Sequence, residues 1–196
     1  MTREPNPRGS GEQLRAQLVG AASDLLLSPQ SVALPSLRAV ARACDVSPAA
    51  VYLHFDSQHA LIAAVIDAQL HELEVTVRGD LDVAAAPADQ LNQFGRSYVT
   101  WGLEHPGAYQ LLFETADRLE LPEHDLDSPN WDLISEAATL VASATGQDVE
   151  ASRAVAFRLW AALHGVVSLR IHKPGVPWPD AAKEVTAVIT RLTAHD

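Results

Sequence analysis

The stretch Leu34-Pro-Ser-Leu-Arg-Ala-Val-Ala-Arg-Ala-Cys-Asp-Val-Ser-Pro-Ala-Ala-Val-Tyr-Leu-His-Phe55 decides the fold of this 196-residue chain. It reads as two short helices joined by a tight turn. Ser36 is a good N-cap for the first helix, and Ser47 with Pro48 is a strong start for the second, which we expect to end near Leu53. This is the outline of a helix-turn-helix, whose second helix can enter the major groove of DNA.

The second helix carries the residue types that such a role requires. Small side chains allow close approach to the floor of the groove, and polar rings can donate hydrogen bonds to phosphate oxygens. These residues are Ala49, Ala50, Tyr52 and His54. Val51 and Phe55 lie four residues apart and are expected to anchor the helix to the core of its domain. Phosphate contacts position a DNA-binding helix, whereas base contacts specify the sequence.

Residues 14–66 resemble the DNA-binding domain of the TetR family of transcriptional regulators. The matching positions are Leu25-Leu26, Ser36, Val40-Ala41, Val46-Ser47, Tyr52, His54-Phe55 and Leu61. Two positions depart from the family pattern. The turn glycine is Asp45, which tolerates left-handed backbone better than most residues. The Lys-Glu pair that usually begins the fourth helix is Gln58-His59, so one charged phosphate contact is lost.

The sequence and the resemblance together give a set of expected DNA contacts. They are Arg3, Arg8, Ser36, Arg38, Ser47, Ala49, Ala50, Tyr52, His54 and Gln58. Arg3 and Arg8 lie in a proline-broken segment, and we expect them to reach the minor groove as an arm.

The charge is divided unevenly along the chain. Residues 1–59 hold five arginines and five acidic residues and are neutral overall, whereas residues 60–196 carry the whole net charge of −11. Phosphate repels the acidic part and tolerates the neutral part. The N-terminal region is therefore the expected DNA-binding part, with moderate electrostatic affinity.

Composition narrows the class of protein further. Hydrophobic residues make up 47% of the chain, which is ordinary for a soluble globular protein. No continuous apolar run reaches the length of a membrane span, and the polar N-terminus does not resemble a signal peptide. Cys44 is the only cysteine in the sequence, so an intramolecular disulfide is impossible. We expect a cytoplasmic protein with no membrane association.

Helical periodicity predicts an all-α fold of about nine helices. We expect a flexible arm over residues 1–11, a helix-turn-helix domain over 12–59 and an effector-binding and dimerisation domain over 60–196. After the first four helices, helical patterns cover about 88–104, 106–116, 129–145, 149–172 and 179–194, with prolines between them.

The C-terminal region resembles one TetR subgroup, in which a Trp-His-Gly signature marks the C-terminal domain. The similar segments run from Trp101 to Phe113 and from Trp160 to Gly165. The resemblance implies a small-molecule effector without naming it. A ligand pocket would be lined by Trp101, His105, Tyr109, Phe113, Trp131, Phe157, Trp160 and His164. The alternative is ordinary core packing of the same aromatic residues.

Two late helices carry more apolar surface than one domain needs. Residues 151–171 are apolar on more than one face, and residues 181–192 form a second stripe. A two-fold homodimer through both helices would double a DNA site that one short helix reads poorly. The expected interface residues are Val155, Leu159, Val166, Val185, Val188 and Leu192.

Catalysis and metal binding find little support in the sequence. Nucleophile motifs and phosphate-binding glycine loops are missing, and the eight histidines show no His-x-x-x-His pair. The acidic segment from Glu120 to Asp127 is better explained as a solvated loop than as a cation site. We therefore expect no catalytic residue, metal or cofactor.

These patterns predict a DNA-binding transcriptional regulator that a small molecule releases from its operator, most simply a repressor acting as a homodimer. An activator or a ligand-independent regulator of the same fold is the first alternative. An all-α enzyme or scaffold that merely contains the motif is the second.

Overall fold

A computed structural model describes residues 10–27, 34–115 and 129–194 of the chain. These residues contain nine α-helices and no β-strand, which confirms the expected all-α class. Arg3, Arg8 and the acidic segment from Glu120 to Asp127 lie outside the described residues.

The helix boundaries follow the sequence signals closely. The helices are α1 (Ser10–Leu26), α2 (Leu37–Ala43), α3 (Pro48–Tyr52), α4 (Gln58–Gly79), α5 (Pro87–Glu104), α6 (Pro106–Gln110), α7 (Pro129–Thr145), α8 (Val149–His172) and α9 (Ala181–Thr193). One π-helical turn, Leu111–Thr115, continues from α6. Proline stands at the first position of α3, α5, α6 and α7, where its missing N–H costs nothing.

The described residues form two compact units. Unit 1 comprises 10–27, 34–69 and 111–115, and unit 2 comprises 70–110 and 129–194. The division falls within α4, after Gln69, rather than after residue 59 as we expected from sequence. The first half of α4 thus belongs with α1 to α3, while its second half belongs with the later helices.

Unit 1 is held together by apolar residues at helical spacing. Each helix contributes a buried stripe, and the residues are Leu18, Ala22, Leu37, Val40, Ala41, Val51, Phe55, Leu61, Ile62 and Val65. The side chain of Gln69 reaches back from α4 to Ser23 Oγ of α1 over 3.4 Å. These contacts set the angle at which α2 and α3 are presented.

Unit 2 is a bundle in which α5, α7, α8 and α9 pack on one another. Two glycines on α5 allow this close packing. A β-carbon on Gly102 would lie 2.8 Å from both Tyr109 Cδ2 and Val167 Cγ1, and one on Gly95 would lie 3.0 Å from Ile189 and Val185. No larger residue could occupy either position without moving its neighbours.

Within the described ranges, one helix, α8, is long and apolar enough to cross a membrane. Only its length and composition meet this criterion, and the core helix of a soluble protein can meet it as well. Leu159, Leu163 and Val167 of α8 are buried inside unit 2. Packing within the bundle therefore accounts for part of the apolar character of α8, since 28% of its apolar window is buried and the rest lies on the outer face.

We predict that Gly102→Ala destabilises the protein by about 1–3 kcal/mol, because the added methyl group overlaps Tyr109 and Val167. Gly20→Ala in α1 is the matched control. A β-carbon there meets nothing within 4 Å, so this change should be neutral or stabilise by up to about 1 kcal/mol. Urea unfolding measures both, and equal effects of the two changes would show that the close packing at Gly102 is unimportant.

Candidate functional site

The turn between α2 and α3 has the geometry of a helix-turn-helix. Asp45 adopts φ = 53°, the left-handed conformation that glycine usually supplies. The backbone N–H of Val46 donates to Ala41 O at 3.0 Å, and that of Cys44 donates to Val40 O at 3.0 Å. The turn therefore closes with Asp45 in place of glycine, as its tolerance of left-handed backbone predicts.

Serine caps both helices of the motif. The Oγ of Ser36 accepts from the backbone N–H of Ala39 at 3.2 Å, and the Oγ of Ser47 accepts from that of Ala50 at 3.2 Å. Both serines are exposed, so each hydroxyl group is accessible beside a helix N-terminus. A third cap, from Ser57 Oγ to the N–H of Ala60 at 3.1 Å, fixes the start of α4.

The helix α3 turns one side inward and leaves the rest open. Val51 is fully buried, whereas Tyr52 is 54% exposed and Leu53 is 84% exposed. Ala49 is also exposed and Ala50 is half-buried. Ala49 and Tyr52, three residues apart, therefore lie on one accessible side of α3, while Ala50 lies partly covered beside them.

His54 is placed differently from Tyr52. A β-carbon on Gly11 would lie 3.9 Å from His54 Cε1, so the imidazole packs beside the first turn of α1 and is half-buried. On the same side, the guanidinium of Arg15 lies over the Phe55 ring, 5.1 Å from its centroid. The two rings link the end of the motif to α1.

Gln58, one of the residues expected at DNA, is hydrogen-bonded within unit 1. Its Nε2 donates to Leu34 O at 3.0 Å and to Pro35 O at 3.1 Å, which occupies both amide hydrogens. Gln58 therefore holds the segment before α2 against the start of α4, and its expected contact with a phosphate stays a prediction. In the described part of unit 1, Arg15, Arg38 and Arg42 are exposed cationic groups.

A second candidate site lies in unit 2, where four side chains form a chain of hydrogen bonds. Trp160 Nε1 donates to Tyr98 OH at 3.2 Å, Tyr98 OH lies 3.0 Å from Tyr109 OH, and Tyr109 OH lies 2.8 Å from His164 Nδ1. The indole N–H of Trp160 can only donate. When Tyr98 OH then donates to Tyr109 OH, and Tyr109 OH donates to His164 Nδ1, all three hydrogen bonds run in the same direction. In that arrangement His164 Nδ1 is the acceptor.

This chain is largely buried. Tyr109 and Tyr98 are almost fully enclosed, while Trp160 is 37% exposed and His164 is half-buried. Burial raises the pKa of Tyr98 to about 12, although hydrogen bonds with Tyr109 and Trp160 oppose the rise. Tyr98 is therefore a neutral donor throughout the physiological range.

The structure unites part of the pocket expected from sequence. Tyr109, Trp160 and His164 meet in the hydrogen-bonded chain, and the Tyr109 and His164 rings stack with centroids 5.6 Å apart. Trp101 and His105 form another stacked pair, with centroids 5.2 Å apart, in which Trp101 is buried as a core residue.

The other expected pocket residues are less completely placed. Phe113 and Phe157 are half-buried, and Phe113 groups with unit 1 rather than unit 2. The side chain of Trp131 lies outside what the structure describes. Whether these residues line a ligand pocket remains a prediction.

Tyr98 is the functional candidate that the sequence analysis missed. It joins Trp160 to Tyr109, yet no motif marks it. The available signal was its position four residues after Phe94 and three before Trp101, on the buried side of α5. A tyrosine at such a position needs a partner for its hydroxyl, which points to a polar contact inside the bundle.

The expected dimer residues fall into two groups. Leu159, Val166 and Val185 are buried inside unit 2, so they pack within the subunit. Their expected place at a dimer interface stays a prediction. The residues Val155, Val188 and Leu192 are half-buried and keep part of their surface accessible.

Within the described ranges, no group of three histidine, cysteine, aspartate or glutamate side chains is placed to hold a metal ion. The half-buried Cys44 Sγ lies 3.6 Å from Gln17 O, and burial raises the pKa of its thiol. A raised pKa keeps the thiol protonated and weakly nucleophilic.

A capped helix-turn-helix followed by a helical bundle defines a class of DNA-binding regulatory proteins. Residues 31–65 match the family described as "Bacterial regulatory proteins, tetR family", and residues 91–193 match "Tetracyclin repressor-like, C-terminal domain". The chain belongs to the TetR family of DNA-binding transcriptional regulators. No curated protein matches the sequence.

Solved structures share the fold at low sequence identity. A TetR-like transcriptional regulator from Rhodococcus sp. RHA1 is 23% identical, with 95% of this chain and 97% of that chain covered and a TM-score of 0.69. The fatty acid degradation regulator FadR from Bacillus halodurans is 14% identical, with 97% and 96% covered and a TM-score of 0.69. BioQ, solved with its natural double-stranded DNA operator, is 21% identical, with 92% and 98% covered and a TM-score of 0.63.

We predict that the stability difference between the wild type and Tyr98→Phe shrinks as the pH rises. Because the pKa of Tyr98 is about 12 in the folded protein, its contribution is complete below pH 10 and falls between about pH 10 and 12. The full loss is about 2–3 kcal/mol. Urea unfolding of both proteins from about pH 8 to 11 measures the difference, in which other titrating groups cancel. A constant difference would contradict the buried hydroxyl.

Proposed function

We propose that the protein is a homodimeric repressor, located in the cytoplasm, that a small-molecule effector releases from its operator. The observation that carries this proposal is the capped α3, which buries Val51 and leaves Ala49, Tyr52 and Leu53 exposed. A surface of this kind fits the major groove of DNA. Repression follows when the bound dimer covers a promoter.

The proposed DNA contacts combine α2 and α3. Arg38 and Tyr52 supply side-chain donors, and Ser36 and Ser47 add hydroxyl groups beside the helix N-termini, where anions are favoured. His54 is placed to reach phosphate only with its exposed edge. Arg3 and Arg8, which lie outside the described residues, are proposed to follow the minor groove.

The effector is proposed to bind in unit 2, which we assign to the Trp-His-Gly subgroup through Trp160 and His164-Gly165. Trp160 is exposed and lies beside His164, with ring centroids 6.4 Å apart, and Phe157 on the same helix is half-buried. Beyond His164, Tyr109 and Tyr98 supply buried hydroxyl groups. Such a site suits a mainly apolar molecule with a few polar atoms.

The coupling is proposed to run through α4, because it is a member of both units. In unit 2 its last turn is fixed to α7, since Arg78 Nε donates to Glu136 Oε2 at 3.0 Å. Movement of α7 on effector binding would pull this end of α4. The other end carries the core contacts of unit 1, so a change of tilt would alter the spacing of the two recognition helices.

The dimer is proposed to form through the outer faces of α8 and α9. Val155, Val188 and Leu192 are half-buried, and Leu169 at the end of α8 is 50% exposed. Arg170 ties the two helices into one surface, because it donates to Glu184 Oε2 of α9 at 2.5 Å and lies over the Trp178 ring. Association would remove this apolar surface from water.

We predict that the wild type retards the DNA upstream of its own gene in a gel shift and lowers expression of a reporter joined to that DNA. Tyr52→Phe removes one hydroxyl donor and should weaken binding roughly twofold to tenfold, by a similar factor on operator and on random DNA. Lys183→Ala is the matched control, since this exposed residue of unit 2 should leave affinity unchanged.

Two results would contradict these assignments. A reporter that rises when the protein is present would make it an activator. A Tyr52→Phe protein that loses discrimination but keeps its affinity for random DNA would make Tyr52 a base-reading residue rather than a phosphate anchor.

We predict that the wild type sediments as a dimer at micromolar concentration and that Val188→Glu with Leu192→Glu sediments as a folded monomer with little operator binding. The added carboxylates would place like charges in the interface. Thr190→Glu, at an exposed position of α9, is the control and should stay dimeric. A monomeric wild type that still binds operator tightly would exclude the spacing mechanism.

A further inference from the structure

The outward face of α3 offers an unusual set of side chains for reading DNA. Residues 47–53 are Ser-Pro-Ala-Ala-Val-Tyr-Leu, whose side chains include no amide, guanidinium, ammonium or carboxylate group. Helical geometry places Ala49 and Leu53, four residues apart, on the side opposite the buried Val51. Leu53 keeps helical backbone angles, with φ = −72° and ψ = −17°, so its side chain continues this face.

Leu53 is the most prominent member of the face. It is 84% exposed, and Tyr52 beside it is 54% exposed. Scattered apolar residues on a surface need no explanation. Leu53, however, lies with Ala49 and the Tyr52 ring on the one helix that the family fold presents to DNA, so the three form a small apolar patch.

The chemistry of the major groove limits what this patch can recognise. Guanine and adenine are read by bidentate hydrogen bonds from arginine, lysine, asparagine or glutamine, and cytosine by a carboxylate, whereas serine and threonine hydroxyl groups can contact either kind of base. The outward face of α3 supplies none of the bidentate or carboxylate groups. Thymine differs from the other bases because its C5-methyl group is recognised by apolar contact.

We propose that α3 reads the operator through thymine methyl groups, with Leu53 and Ala49 as the apolar contacts. The proposal rests on the DNA-binding role above and names the feature of DNA that is read. Leu53 is then a specificity-determining residue, and each half-site contains thymine opposite it. Arg38 on α2 adds a group that can hydrogen-bond a base or a phosphate.

The test uses a duplex that the full-length wild type selects from a pool of random DNA. Each thymine of the selected site is replaced in turn by deoxyuridine, which removes the C5-methyl group and leaves the pairing unchanged. We expect about fourfold weaker binding at one or more thymines in each half-site, equivalent to about 0.8 kcal/mol per buried methyl group. In Leu53→Ala the effect should disappear at one of these thymines.

Arg38→Ala provides the matched control. It should weaken binding to the thymine duplex and to the deoxyuridine duplex by the same factor. The ratio of the two dissociation constants should therefore stay unchanged. Leu53→Ala changes an exposed side chain, so its helical circular dichroism should equal that of the wild type. This separates a lost contact from a lost fold.

The possible failures are distinguishable. If no thymine is sensitive to deoxyuridine, or if every sensitivity survives in Leu53→Ala, the thymine reading is wrong while DNA binding stands. If the wild type enriches no sequence from the pool, the proposed operator binding fails, and the reading by Leu53 fails with it.

Discussion

The burial of Val51 is the contact on which the DNA-binding surface depends. The helix α3 has five residues, Pro48–Tyr52, and a helix of this length is not stable by itself in water. Its orientation comes from Val51, from the buried Phe55 after it and from the Ser47 cap. Because so few residues anchor the helix, nearly all the others are available at its surface.

The parts of the fold that local chemistry determines could be predicted from the sequence. Ser36 and Ser47 cap the helices that they were expected to begin, and Asp45 adopts the left-handed conformation that its place in the turn requires. Each of these signals acts over three or four residues. A cap or a turn needs no knowledge of the rest of the chain, which explains why the helix boundaries agree so closely.

The contacts that join distant segments could not be predicted in the same way. Gln58 bonds to Leu34, and Tyr98 bonds to Trp160, across long stretches of chain that periodicity does not relate. The helix α8 poses another difficulty, because it is apolar on more than one face. Its pattern could not distinguish residues that pack inside the subunit, such as Leu159, from residues left for a partner.

The neutral charge of residues 1–59 and the apolar outward face of α3 both favour sequence discrimination that depends little on salt. Residues 1–59 are neutral overall and the rest of the chain carries −11, so attraction to phosphate is weak for a DNA-binding protein. Counterion release accounts for most of the salt dependence of DNA binding, and apolar contacts with thymine release no counterions. A recognition helix that relies on Leu53 and Ala49 would therefore keep its discrimination between sequences as salt rises. Weak electrostatic attraction would then lower non-specific affinity more than specific affinity. The ratio of these two affinities decides how well a protein finds its operator among many competing sites.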